Sequence, residues 1–138
     1  MPAEEDMATV RRFVEEVINR GNLELTDELV TSDHVNHDPT APETGEGPEG
    51  IKELIGTYRS AFPDLRFEIG EMFASGDGRV AHRWIMTGTH EGEMMGVEPT
   101  GRRVEVMGVE INHVRDGRIS ASYTVSDAAS LMRQLGAL

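Results

Sequence analysis

Two alternating stretches, Val104–His113 and Arg118–Asp127, meet at Arg115-Asp116-Gly117. No other feature limits the fold of this chain so strongly. Asp-Gly between alternating strands is a strong short-range hairpin signal. A three-residue loop with Gly117 in the left-handed region predicts the register. Ile119 then faces His113, Ala121 faces Ile111, Tyr123 faces Val109, Val125 faces Met107 and Asp127 faces Glu105. One face of this hairpin is largely apolar. The other carries Val106, Gly108, Glu110 and Asn112 against Ser120, Ser122, Thr124 and Ser126. A slip of one residue would mix the two sets. The apolar face is expected to meet the core, which places Asp127 at the end of a buried stripe.

The rest of the chain reads as helices followed by strands. Met7, Val10, Phe13, Val14, Val17 and Ile18 recur at helical spacing, and Gly21 is a good stop. Leu23 to Val30 continue as a short second helix with Thr26 as a possible cap. Val35–Pro39 is a brief extended segment before a Pro/Gly/Glu loop, Thr40–Gly50. Pro48 opens a third helix carrying Ile51, Leu54, Ile55, Tyr58 and Phe62, and Pro63 closes it. Leu65–Phe73 and Arg79–Thr89 are strands joined by a turn at Ser75–Gly78. A wide loop, Glu91–Arg103, precedes the final hairpin, and Ser130–Leu135 is a short helical turn. The predicted fold is α+β, with N-terminal helices packed on a strongly curved antiparallel sheet. Such a cone leaves an internal pocket, the natural ligand site.

A chain of 138 residues is expected to form a single domain over 1–138 with a real core. It has no cysteine, which removes disulfides, thiolate metal sites and a cysteine nucleophile. No apolar run approaches a membrane span and Met1–Asp6 is acidic, so a cytoplasmic protein is expected. The net charge of −12 argues against nucleic acid and anionic membranes as partners, because no basic stripe exists to neutralise phosphates. Lys52 is the only lysine beside twelve arginines. That bias fits a surface working in high salt, and an arginine-favouring genome produces it equally well.

Asp127 has two readings. It is a general base whose pKa is raised by apolar neighbours and by Glu105 opposite, or it caps the helical turn that follows. His113 shares the apolar face but lies at the far end of the hairpin. Tyr58, Trp84 and Tyr123, with Met107 and His37, are placed to line a pocket for a flat apolar or aromatic ligand. Plain core packing would look the same. His34-x-x-His37 is too short a pattern to specify a metal. There is no G-x-S-x-G elbow and no phosphate-binding glycine fingerprint.

Several stretches together resemble one family in their order and spacing. They include Arg12-Phe13-Val14-Glu15-Glu16-Val17, Val35-Asn36-His37-Asp38-Pro39, Gly47-Pro48-Glu49-Gly50 and Ala61-Phe62-Pro63-Asp64-Leu65. Further along come Arg83-Trp84, Gly88-Thr89-His90-Glu91-Gly92, Pro99-Thr100-Gly101-Arg102, Asp116-Gly117-Arg118-Ile119, Asp127 and Gln134-Leu135-Gly136. The chain is similar to the SnoaL-like polyketide (ester) cyclases of the ketosteroid-isomerase-like superfamily. The resemblance implies ring closure by intramolecular aldol condensation, with neither metal nor organic cofactor. It implies an aspartate acid/base, matched by Asp127, and a pocket histidine, for which His113 is the match. Where the family reads Glu-x-Trp in the last strand, this chain has Ala121 and Tyr123. That departure points to a different ligand or to loss of cyclase activity.

The expected function is cofactor-independent acid–base catalysis on a small carbonyl substrate, polyketide-like, apolar or aromatic. The alternative is a non-catalytic small-molecule binding protein on the same fold, or an interaction module. A homodimer or higher homo-oligomer is compatible with each, since the superfamily commonly dimerises.

Overall fold

The structure, a computed structural model, describes residues 2–137. The first apolar stripe forms α1 (Pro2–Arg12), which runs directly into a wider π-helical stretch, Phe13–Asn19. Val10, Phe13, Val14 and Val17 are buried by it. Asn19 locks the end of this helix to the sheet. Its Nδ2 donates to Phe67 O at 2.9 Å and its Oδ1 accepts from Phe67 N at 2.6 Å. Arg59 Nη1 donates to the carbonyls of Ile18 and Asn19, satisfying acceptors that a helix end leaves open.

A single turn, α2 (Thr26–Leu29), leads into β1 (Val30–His37), and α3 (Gly47–Ala61) begins with Pro48 in its first turn. The expected second helix is thus divided: Leu23–Leu25 is a 3-10 turn, only Thr26–Leu29 is α-helical, and Val30 already belongs to the strand. Then follow β2 (Arg66–Ala74), β3 (Arg79–Thr89), β4 (Arg103–Arg115), β5 (Arg118–Ser126) and α4 (Ala128–Gln134). The strands form one sheet in the order β1-β5-β4-β3-β2.

Two expectations about this sheet need correction. It is mixed, because β1 runs parallel to β5 while the other pairs are antiparallel, and it is not strongly curled. Val30–His37 leaves the helical layer in the same direction as β5 and covers that strand's open edge, so a full strand replaces the brief segment expected.

The hairpin register also differs. Asp116 and Gly117 both have positive φ, 52° and 75°, as a two-residue turn of the mirror-image type demands. Arg115 therefore pairs with Arg118, and a bulge between His113 and Val114 adds a further step. Ala121 lies opposite His113, Tyr123 opposite Ile111 and Val125 opposite Val109. The total offset is two residues, so every pair changes; past the bulge each face keeps its members, while Ile119, on the turn side of it, is buried at the cavity.

The faces themselves are inverted. Met107, Val109, Ile111, Tyr123 and Val125 point outward and are 42–66% exposed. Val106, Asn112 and Ser122 are buried on the helix side, where Glu110 lies as well. The polar set is tolerated inside because it surrounds a cavity and its members bond to one another. Two apolar clusters flank that cavity. One joins Val10, Val17, Ile51 and Ile55 to Val80 and Ile119, and the other joins Phe62, Leu65, Trp84, Met86 and Val104 to Leu131.

Candidate functional site

The cavity between the helices and the inner sheet face has a volume of about 110 Å³. Phe13 and Ile18 form part of its helical wall. They are five residues apart, and the π-helical turn, which repeats near five, brings both to the same side. Trp84 and Met86 of β3 supply the opposite apolar wall. The indole lies flat against β4 only because residue 108 is glycine: a Cβ there would overlap its six-membered ring. Phe67 packs on Trp84 at 4.7 Å between ring centroids.

The polar floor comes from β1, β4 and β5: His34, Asn36, Glu110, Ser122 and Thr124. Asn112 Nδ2 donates to Glu110 Oε1 (2.8 Å) and to Ser122 Oγ (3.0 Å). With both amide hydrogens used, Asn112 Oδ1 accepts from His82 Nε2 (3.2 Å). Thr124 donates to Glu110 Oε2. Ser122 Oγ lies 2.9 Å from His34 Nε2. Ser122 Oγ accepts from Asn112, and among the described residues His34 Nε2 is the one acceptor within reach of the serine's own proton, which assigns the imidazole proton to Nδ1.

Burial drives the His34 pKa down to about 4 against a smaller upward pull from Glu110, so the ring is neutral at pH 7. Glu110 behaves in the opposite sense. Burial pushes its carboxyl up, but the His82 ring 3.7 Å away, with Thr124 and Asn112, outweighs that and holds it below the ordinary range. Glu110 is therefore an ionised carboxylate on the cavity floor.

Asp38 and Tyr58 stand with Thr40 and Met95 toward the mouth. Asp38 Oδ1 accepts from Thr40 N (2.9 Å) and Thr40 Oγ1 (2.7 Å). Burial and the Asp38 charge raise the Tyr58 pKa, with a weaker opposing hydrogen bond from Thr40. Thr40, Leu54, Tyr58 and Met95 also line a wider vestibule of about 480 Å³. The vestibule lies between residues 40–45 and 93–95, which belong to the loops Thr40–Gly50 and Glu91–Arg103.

Of the residues singled out from sequence, Tyr58 and Trp84 line the cavity. His37, Tyr123, His113 and Met107 do not. The first three make a ladder on the outer face, with His37 stacked on Tyr123 at 4.3 Å and 3° and His113 at 5.3 Å from the same ring. Met107 is exposed on that face. Asp127 is exposed at the N-terminus of α4, where its Oδ1 accepts from Ser130 N at 3.0 Å. It does not line the cavity. Ala121 and Tyr123 also belong to the outer face, so their departure from the family's Glu-x-Trp removes nothing from the cavity wall.

His34, Asn36, Asp38, Glu110, Ser122 and Thr124 were not singled out as site residues. The signal of Glu110, Ser122 and Thr124 is a regular polar alternation along β4 and β5, which the sequence reading assigns to the solvent side, whereas His34 and Asn36 belong to β1 and Asp38 follows it. Among the described residues, no group of three or more His, Asp or Glu side chains converges as a metal site requires.

Helices over one face of a mixed sheet, with a polar-floored cavity between, define a small α+β protein with an internal cavity. The SnoaL-like polyketide cyclase family matches residues 8–135, and the chain belongs to that family. It is 30% identical over 121 residues to the nogalonic acid methyl ester cyclase of Streptomyces nogalater, covering 86% of this chain and 88% of that one. The aklanonic acid methyl ester cyclase AcmA of Streptomyces galilaeus is 29% identical over 133 residues, with 96% and 91% covered. The crystal structure of wild-type IdmH from Streptomyces antibioticus superimposes with a TM-score of 0.83 at 36% identity, covering 95% and 98%.

Proposed function

We propose that this protein is a cofactor-independent cyclase that closes a ring in a small polyketide-like ester by intramolecular aldol addition, with Glu110 as the base. The observation that carries this reading is an ionised carboxylate on the polar floor of a cavity with apolar walls, held by His82, Asn112 and Thr124. Glu110 takes a proton from a carbon between two carbonyls. The resulting enolate carbon attacks a second carbonyl of the same molecule, and the alkoxide recovers the proton from Glu110. Base and proton are restored at the end of each cycle. Holding the two reacting carbons together is the larger contribution, since effective molarities are worth about 7–11 kcal/mol in the best cases.

The ester class follows from the relatives' names and from charge. Asp38 and Glu110 line the cavity, and Glu43, Glu53 and Glu93 line the vestibule, while no arginine or lysine lines either. A free carboxylate on the substrate would meet only like charge, and esterification removes that penalty. Ligand pockets usually span about 300–1,000 Å³, so a fused-ring substrate occupies cavity and vestibule together.

The test is turnover of Glu110→Gln on a panel of aromatic polyketide methyl esters. Glutamine keeps the side-chain volume and can still bond to Thr124. Loss of at least about a hundredfold in kcat, the usual worth of a general base, supports the assignment. Wild-type-like turnover by the variant removes it.

The protein also acts as a homodimer through the outer sheet face in this proposal. Its apolar centre, Val109, Ile111, Tyr123 and Val125, is flanked by charges of both signs such as Arg83 and Glu71. A two-fold copy of the same face complements that pattern.

A further inference from the structure

Three nitrogen atoms on cavity-lining residues are buried without a hydrogen-bond partner: His34 Nδ1, Asn36 Nδ2 and Trp84 Nε1. Buried polar atoms normally find partners, and exceptions call for a reason. Two of the three, His34 and Asn36, stand two residues apart on β1, so both project toward the inner face. Both are donors. The amide nitrogen of Asn36 can only donate, and the Ser122 hydrogen bond leaves the proton of neutral His34 on Nδ1.

The register places these donors across β5 from the base, on the floor of the same cavity. Asn36 pairs with Ser122, which pairs with Asn112, while Glu110 lies two residues along β4 from Asn112 and pairs with Thr124. Trp84 belongs two residues beyond Glu110, at the level of Gly108. The pair on β1 therefore shares the cavity with Glu110, and its Nδ1 and Nδ2 atoms have no hydrogen-bond partner among the described residues. The carboxylate oxygens of Glu110 are engaged by Asn112 and Thr124.

We infer that Asn36 and His34 form a binding site for the oxygen of an enolised 1,3-dicarbonyl ligand, so that the protein itself stabilises the enolate. This deepens the cyclase reading, on which it rests. As Glu110 removes the proton from carbon, negative charge gathers on the adjoining carbonyl oxygen. Two neutral donors already positioned there meet that charge without reorganising. A neutral imidazole suits this task, because it donates without surrendering its proton to the product. Resonance within the substrate is then assisted by the site, and weakly conjugated diketones become acceptable ligands.

The probe is 1-phenylbutane-1,3-dione, whose enolate absorbs apart from its neutral forms. Its ionisation is titrated spectrophotometrically while bound to Glu110→Gln, so that the base takes no part. The enolate should form at least about tenfold more readily than in buffer, a shift of one pH unit downward. Glu110→Gln/Asn36→Leu should lose that shift. Glu110→Gln/Asn36→Asp should reverse its sign, since a carboxylate replaces the donor, and it decides the matter if the leucine variant does not fold. No shift in Glu110→Gln, or an unchanged shift in both Asn36 variants, overturns the inference. The two readings fail separately. Turnover retained by Glu110→Gln removes the base but leaves a measured shift standing. Turnover lost with no shift in the probe leaves the base and removes the donor site.

Discussion

His34 Nε2 lies 2.9 Å from Ser122 Oγ, a hydrogen bond that ties the parallel edge strand to the hairpin beneath the cavity. The imidazole is 1% exposed, and burial lowers its pKa to about 4. The unfolded chain therefore binds the proton first as the pH falls. His34 contributes fully above its unfolded value near 6.5, and the contribution drains away as the pH drops through about 4. The loss should be about 3 kcal/mol across that window. Urea denaturation at successive pH values should show this fall in the wild type and a flatter curve in His34→Asn. Parallel curves would mean that the ring is solvated in the native state.

Asp127 is predicted to matter for folding and to be dispensable for turnover. Its carboxylate accepts from Ser130 N and starts α4, whose Leu131 closes the core against Trp84 and Val104. Asp127→Ala should cost about 1 kcal/mol, the usual worth of a capping side chain, and Asp127→Asn only a few tenths. Both variants should keep the wild-type kcat per folded molecule. A large drop in kcat for Asp127→Asn, with the melting temperature unchanged, would return the acid–base role to this residue.

The element order was legible because apolar spacing and turn residues agree along most of the chain. Arg79–Thr89 was bounded correctly at both ends, since Gly78 and the following loop mark it clearly. Sidedness was not legible. Alternation along β4 and β5 separates two faces without saying which one meets the helices, and the rule that apolar residues go inside chose wrongly. That rule fails where a sheet has a cavity on one side and an exposed apolar face on the other. Glu110 and Ser122 were therefore read as solvent residues, and Tyr123 and Met107 as pocket residues. The register differs for two local reasons, the bulge between His113 and Val114 and the turn itself. Asp116 adopts positive φ, which an aspartate tolerates better than most residues, so the loop is two residues long. Tyr58 and Trp84 were found because their size makes them wall residues on either reading.

Gly108 is predicted to be intolerant of even one added carbon. A methyl group at this position would overlap the Trp84 ring. Gly108→Ala should cost about 1–3 kcal/mol, as overpacked cores do. It should also push the indole into the cavity. Trp84 is the only tryptophan, so intrinsic fluorescence reports this site alone. An altered emission maximum together with weaker ligand binding is expected. Unchanged emission and unchanged binding would show that the ring has room to move.

The outer face makes the last prediction. Across the sheet, Phe73 lies opposite Ala81, Ala81 opposite Ile111, Ile111 opposite Tyr123 and Tyr123 opposite His37. This row crosses all five strands, and Val109 and Val125 extend it toward the next level. Phe73 and Val125 are 67% and 66% exposed, and contiguous apolar patches of this kind on soluble proteins mark interaction sites. Sedimentation of the wild type at micromolar concentration should give twice the mass of one chain. Val109→Glu places a charge near the centre of the patch, twice in a two-fold dimer, and should raise the dissociation constant about a hundredfold or more. Its far-ultraviolet spectrum should be unchanged, because residue 109 is half exposed and touches no part of the cavity. A wild type that sediments as a monomer at that concentration, or a Val109→Glu variant that still dimerises, would move the interface elsewhere.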